Sequence, residues 1–346
     1  MSNAAKTPIA PLQYGKLKLQ TNVLYAPLAG CSDFAFRKMS ARFHPGIIFC
    51  EMVKMDALIR HDAGTYHLLD FSPDMHPIGG QLCGSKPEIA AAAAEIIEDL
   101  GFDVIDFNCG CPVDKVTKDG SGSGMLKNPE LIGDIIANMV AKVKIPVTVK
   151  IRSGWDDKAI IVEDIVRIAE KSGAKAITVH GRTREQGYKG PANWDWIKRA
   201  KAAATHIQVI GNGDIFSAQD ALRMFDYTGC DGVLVARGTL GQPWIAEDIH
   251  HLASGSESVV RTPEMKRTAL LEHFEYMQEY LPERKVVIDM RRVGCWYFTK
   301  AKGTRSFREA ISKAATVAEI HDLIMQLPVD EDEPDGQEGS VPDISQ

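Results

Sequence analysis

Short apolar runs and longer amphipathic runs alternate along the first two-thirds of the chain. Eight of the short runs read as strands: Val23–Tyr25, Ile47–Phe49, Ile78–Leu82, Val104–Phe107, Val147–Val149, Ala176–Val179, Ile207–Ile210 and Val233–Val235. They are nearly continuous rather than alternating, which predicts strands covered on both faces, as in a parallel sheet. Between them the apolar period becomes that of a helix. Ser85-Lys86-Pro87-Glu88 predicts a capping box, after which Ile89, Ala92, Ala93, Ile96 and Leu100 share one face and Gly101 stops the helix. A second helical pattern starts at Asn128-Pro129, and a third, with Ile161, Ile165, Ile168 and Ala169, ends at Gly173. A strand spacing of about 25–40 residues suits βα units.

Eight strands fit either a closed (β/α)8 TIM barrel or a doubly wound open sheet. All eight lie within about 240 residues, and no Gly-x-Gly-x-x-Gly fingerprint follows the first, so a closed barrel is predicted, ending near Leu252. Beyond it the strands stop. Thr262–Leu281, Val286–Lys300 and Phe307–Leu327 predict three helices. The expected organisation is a barrel over residues 1–255, a small all-α domain over 256–327 and an acidic disordered tail over 328–346.

A net charge of -6 argues against nucleic acid until its distribution is considered. From Pro328 onward there are seven acidic residues and no basic ones; without them the 46 acidic residues fall to 39, against 40 basic. Asp289–Lys313 concentrates seven basic residues (Arg291, Arg292, Lys300, Lys302, Arg305, Arg308, Lys313) against two acidic, with Trp296, Tyr297 and Phe298 among them. That stretch reads either as a phosphate-backbone contact surface or as a solvated helical face packed on the barrel. The seven cysteines are scattered and odd in number, Met1–Gln20 lacks an apolar leader, and no run approaches the roughly 18 residues of a membrane span. A reduced, cytoplasmic protein without a membrane partner is expected.

In a (β/α)8 barrel the working groups stand at the C-terminal ends of the strands. Those ends carry Ala26-Pro27-Leu28-Ala29-Gly30, Glu51, Gln81, Asn108, Lys150 with Arg152, and His180 with Arg182. The last two are glycine-punctuated, Asn212-Gly213-Asp214 and Ala236-Arg237-Gly238, and read as a backbone phosphate site or as two tight turns. A phosphate there, amides at Gln81, Asn108 and Asn212, and a cation at Lys150 together suit flavin mononucleotide (FMN). Lys150 could instead form a Schiff base, as in barrel aldolases. No second ligand stands at metal spacing from His180, so no metal is expected. The stretch Asp106-Phe107-Asn108-Cys109-Gly110-Cys111-Pro112 presents Cys111 on a turn at a strand end. Its thiol, largely protonated at neutral pH, is either a proton donor or a structural group; Cys109 is expected to pack.

This stretch, with the run Gly120-Ser121-Gly122-Ser123-Gly124, resembles the signature of the tRNA-dihydrouridine synthases. Ala26-Pro27-Leu28-Ala29-Gly30, Val149-Lys150-Ile151-Arg152, Val179-His180-Gly181-Arg182-Thr183, Gln186-Gly187-Tyr188-Lys189-Gly190, Gly211-Asn212-Gly213-Asp214 and Pro243-Trp244 are similar too. The resemblance runs from about residue 12 to 325 and is nearest the bacterial B-type branch. It implies bound FMN, NADPH as reductant, and a uridine of folded tRNA as substrate, the B-type likeness pointing to position 17 in the D-loop. It implies hydride delivery to C6 and protonation of C5 by Cys111, with Asn108 orienting the uracil. Pro27, Leu28, Ala29, Gln81, Lys150, His180 and Asn212 would hold the flavin, with Gly213, Asp214, Ala236, Arg237 and Gly238 at its phosphate end. Arg152, Arg182 and Tyr188 would face the substrate, and Arg291 and Arg292 the tRNA. The chain is expected to act as a monomer. Ala236 stands where the family often has glycine, a departure that a backbone contact tolerates. The rival readings are an FMN barrel acting on a free pyrimidine, as dihydroorotate dehydrogenases do, and a non-catalytic RNA-binding barrel.

Overall fold

The structure is a computed structural model and describes residues 9–299 and 304–327. The acidic tail, Lys300 and Lys302 lie outside the described residues. Eight parallel strands form the barrel: β1 (Val23–Tyr25), β2 (Ile48–Phe49), β3 (Ile78–Cys83), β4 (Val104–Cys109), β5 (Val147–Arg152), β6 (Ala176–His180), β7 (Gln208–Asn212) and β8 (Gly232–Val235). Each pairs with the next, and β8 pairs back on β1 through Val233, Leu234 and Val235, which closes the ring. A short stretch, Val53–Lys54, prolongs β2 against β3.

Alternation along the strands explains why they read as continuous apolar runs. Side chains of successive residues point to opposite faces. Ile105, Phe107, Cys109, Val149, Ile151, Ile177 and Val179 point outward and pack with helix residues such as Ala93, Ile97, Ile135 and Ile165 in the main core. At the N-terminal end the interior is also apolar, with Leu24, Phe49, Val104, Ala176, Ile210 and Leu234 in one cluster. Only towards the C-terminal end does the inner face turn polar. There the register sets Asn108 beside Lys150, Arg152 beside His180, and His180 beside Asn212.

An antiparallel hairpin, Leu12–Tyr14 with Leu17–Leu19, precedes β1 and was not expected. It turns at Gly15, where φ is +62°, and Leu12, Tyr14 and Leu19 plug the N-terminal end of the barrel interior. The predicted capping box also differs. The Pro87–Asp99 helix starts one residue later, because Ser85 Oγ donates to the Asp119 carbonyl at 2.7 Å instead of capping.

Among the described residues four helices follow the barrel rather than three: Pro263–Tyr280, Glu283–Tyr297, Arg305–Ile311 and Val317–Met325. The expected third helix breaks because Thr316 starts a new one. Its side chain accepts from the Glu319 amide at 3.1 Å, and Glu319 accepts from the Ala315 amide at 2.8 Å. Leu270, Phe274, Met290, Val293 and Tyr297 from these helices pack on Leu28, Phe36, Met39, Leu240 and Trp244 from the barrel side. At Gly241, with φ +71°, an added Cβ would lie 2.2 Å from the Trp296 carbonyl oxygen, so the two backbones touch there. Among the described residues no helix is long and apolar enough to cross a membrane.

Candidate active site

The end of β4 turns under the control of Asn108. Its Oδ1 accepts the Gly110 amide at 3.1 Å and the Cys111 amide at 2.9 Å. From the other side Ser123 donates twice to the Cys111 carbonyl, by its amide at 3.0 Å and its hydroxyl at 2.9 Å. The glycine-rich run makes this close packing feasible. A Cβ on Gly122, whose φ is +57°, would lie 2.8 Å from the Cys111 carbonyl oxygen. Five cysteines, Cys109 among them, are buried, whereas Cys111 is half-buried at the mouth and Cys295 half-buried in the helical region.

Beside this loop lies a cavity lined by Ala26, Pro27, Leu28, Lys150, His180, Tyr188, Asn212, Gly213, Asp214, Ala236 and Arg237. Ten of the residues singled out from the sequence are thereby brought together. Lys150 makes no hydrogen bond to the protein among the described residues, and burial followed by the Arg152 charge lowers its pKa to about 8. Burial and the cations Arg152, Lys150, Arg182 and Arg237 hold His180 well below the ordinary histidine range, so its ring is neutral. Asn212 Nδ2 is fixed by the Leu234 carbonyl at 2.7 Å.

The two glycine-punctuated loops close against each other. A Cβ on Gly238 would lie 2.2 Å from the Ile215 carbonyl oxygen, and one on Gly213 would meet Ala192 Cβ at 2.8 Å. The Gly213, Arg237 and Gly238 amides donate to no protein carbonyl among the described residues. Asp214, in the left-handed region at φ 55°, accepts from the Ala192 amide at 2.7 Å and from Arg182 at 2.8 Å, with Arg237 at 3.4 Å. Free amides, one guanidinium and a close backbone approach are the donor set that a phosphate monoester needs, so these residues fit the phosphate of FMN.

Other expected residues stand elsewhere. Gln81 and Asn108 are buried behind the cavity and bonded to each other at 2.9 Å. Ala29 is exposed, and Gly238 is buried next to the lining. Arg152 is buried and donates to the Gly110, Thr183 and Gly187 carbonyls at 2.8, 2.8 and 2.7 Å, tying the Cys111 turn to the loop after β6. Arg182 is also buried and donates to the Gly190 carbonyl. Tyr188 is exposed, with Arg152 at 5.5 Å and Arg237 at 5.0 Å from its ring centre. Arg291 donates to the Ala314 carbonyl at 2.9 Å and Arg292 to the Gly30 carbonyl at 2.5 Å.

Two residues escaped the sequence reading. Phe216 lines the cavity and lies 5.3 Å from Arg237; its signal is an aromatic two residues past a glycine-punctuated strand end. Trp155, three residues past Arg152, carries Lys127 at 3.7 Å and Arg184 at 4.8 Å over its ring, at the side of the mouth where the glycine-rich run ends. Among the described residues no group of three or more His, Cys, Asp or Glu could hold a metal ion.

The family model described as "Dihydrouridine synthase (Dus)" matches residues 24–329. The chain is 38% identical over 318 residues to a probable tRNA-dihydrouridine synthase 1 of Synechocystis, covering 91% of this chain and 89% of that protein. It is 34% identical over 314 residues to tRNA-dihydrouridine synthase B of Shewanella oneidensis, covering 90% and 97%. Among solved structures, a morphinone reductase mutant aligns with a TM-score of 0.53 at 14% identity, covering 74% of this chain and 93% of that one, a likeness of fold. Histamine dehydrogenase from a Rhizobium species aligns with a TM-score of 0.55 at 12% identity, covering 78% and 51%. A match over most of the length means that the chain belongs to the dihydrouridine synthase family of oxidoreductases.

Proposed function

We propose that this chain reduces one uridine of a folded tRNA to 5,6-dihydrouridine, with FMN as its resident cofactor and NADPH as the reductant. When bound, FMN would supply the hydride to C6 of the base. The observation that carries the reading is a half-buried thiol, held at a strand end by Asn108, next to a cavity with an unpartnered ammonium and free backbone amides. Cys111 delivers the proton to C5. Asn108 and Gln81 present amides to the uracil and to the cofactor ring. Pro27, Leu28, Ala29, Lys150, His180 and Asn212 would hold that ring, His180 as a neutral hydrogen-bonding group. Gly213, Ala236, Arg237 and Gly238 would hold the phosphate, with Asp214 orienting Arg237 and Arg182. The C5–C6 bond of a stacked uridine is out of reach, so the base must turn out into the mouth past Tyr188. The B-type likeness supports position 17 of the D-loop as the target.

The barrel, residues 1–255, acts as the catalytic unit and residues 256–327 as the tRNA grip, in a monomer. Replacing Arg291 and Arg292 together by Gln is expected to weaken tRNA binding more at low than at moderate salt, lowering the log–log salt slope by about 2. A filter-binding titration at several salt concentrations reads this, and an unchanged slope removes those two residues from the grip. The charge on Lys150 supplies a pH limb. Its ammonium is present below about pH 8 and lost above it. Turnover should therefore decline as pH rises through about 8, and Lys150→Met should be low and flat across that range. The reading as a whole is tested by comparing unmodified tRNA with free uridine as substrates. Activity on free uridine alone sinks it in favour of a free-pyrimidine reductase. Mapping dihydrouridine in tRNA from a deletion strain then locates the target.

A further inference from the structure

Beneath the mouth, one carboxylate inside the barrel ends a chain of hydrogen bonds that runs to the Cys111 turn. Asp106 is buried, and its Oδ2 accepts from Gln81 Nε2 at 2.7 Å while Thr148 Oγ1 donates to its Oδ1 at 2.7 Å. Gln81 Oε1 accepts from Asn108 Nδ2 at 2.9 Å. Asn108 Oδ1 accepts from the amides of Gly110 and Cys111. An amide side chain can normally turn over and exchange its oxygen for its nitrogen. Here neither can, because both ends of the chain are one-way groups. Two backbone N–H groups at the turn can only donate, and at the other end both Asp106 oxygens accept: burial raises its pKa, but the bonds from Gln81 and Thr148 and the Lys150 charge oppose that shift. Reversing either amide would set two donors or two acceptors face to face in a buried site, leaving polar groups there without a partner.

We propose that Asp106 is a positioning residue for protonation by Cys111: its carboxylate fixes the orientation of the Gln81 and Asn108 amides, and so the attitude of the turn that carries the thiol. The proposal rests on the reading of Cys111 as the proton donor. Asp106 itself touches no reacting atom. It acts through Asn108, and that makes its contribution separable.

The test compares the purified full-length protein with Asp106→Leu, Asp106→Asn, Asn108→Ala and the double variant Asp106→Leu/Asn108→Ala. The first readout is the rate of iodoacetamide alkylation at Cys111, followed by peptide mass spectrometry, and needs neither tRNA nor turnover. Asp106→Leu should speed alkylation about fivefold, the factor carried by loss of one hydrogen bond to the turn. Asn108→Ala should do the same, and the double variant should equal Asn108→Ala. Asp106→Asn should stay near wild type, since its oxygen can face Gln81 while the Thr148 hydroxyl turns to accept. The second readout is dihydrouridine formation, expected to fall about 10²-fold in Asp106→Leu and no further in the double variant than in Asn108→Ala.

An alkylation rate unmoved by Asp106→Leu overturns the proposal, as does full additivity in the double variant or an Asn variant as impaired as the Leu one. Should Asp106→Leu fail to fold, Gln81→Met cuts the same chain one link further on at nearly constant volume, and an unmoved alkylation rate there overturns it equally. If wild type makes no dihydrouridine while the alkylation pattern holds, the functional reading fails and the positioning of the turn stands.

Discussion

Cys111→Ala is expected to lower dihydrouridine formation by about 10²- to 10⁴-fold while leaving tRNA affinity and flavin content unchanged. Among the described residues the hydrogen bonds of Cys111 are made by its backbone, with Asn108 and Ser123 as partners, so alanine keeps them. Only the sulfur is lost. The other thiols on these strand ends, Cys83 and Cys109, are buried, and burial pushes Cys83 up to about 12 and Cys109 well above the ordinary thiol range. Neither can stand in. Single-turnover assays on unmodified tRNA, with flavin absorbance and tRNA binding measured on the same preparations, separate the step from the binding. Turnover equal to wild type would refute the acid role.

Gly238→Ala is the second large effect. The new methyl group would be placed 2.2 Å from the Ile215 carbonyl oxygen and 3.1 Å from Val235 Cγ1, and the first of these is backbone. A flexible side chain could yield, but a backbone carbonyl inside the paired loops after β7 and β8 cannot move without opening the cradle. Overpacking of this kind costs about 1–3 kcal/mol. The protein should purify with little flavin, since a loss of about 1.4 kcal/mol in binding already weakens affinity tenfold. Flavin per chain and thermal midpoint are the measurements. Gly64→Ala is the control: the nearest atom to its added Cβ is Asp62 Oδ2 at 3.4 Å, and it should leave both quantities at or slightly above wild type. Equal flavin content in Gly238→Ala and Gly64→Ala would show that the cradle tolerates a side chain.

The barrel was legible because two different apolar surfaces coincide along each strand. Outward residues such as Phe107 and Val149 meet the helices, and inward ones such as Val104 and Ile210 fill the lower interior, so the runs carry no gaps until the mouth. The hairpin was not legible, because strands of three residues offer only two inward positions each, too few to establish a period. The break before Thr316 was masked by Ala314, Ala315 and Val317, which carry the apolar pattern across it. At the site, residue types and strand ends were readable, but the state of each group was not. Arg152, Arg182, Arg291 and Arg292 all read alike as available cations, yet each donates to a backbone carbonyl of a loop distant in sequence or of its own turn. Which carbonyl waits for a guanidinium is decided by loop geometry, and no local pattern encodes it.

One residue, Gly30, joins the helical region to the cavity wall. The Gly30 amide donates to Glu51 at 2.5 Å while its carbonyl accepts from Arg292, and Pro27 and Leu28, three and two residues before it, line the cavity. Thermodynamic linkage then applies to the molecule as a whole. If a nucleic acid that draws Arg292 away from Gly30 changes the affinity of whatever sits against Leu28, the occupant of the cavity changes nucleic acid affinity by the same factor. Titrating tRNA with and without the cofactor therefore measures one coupling constant from either end.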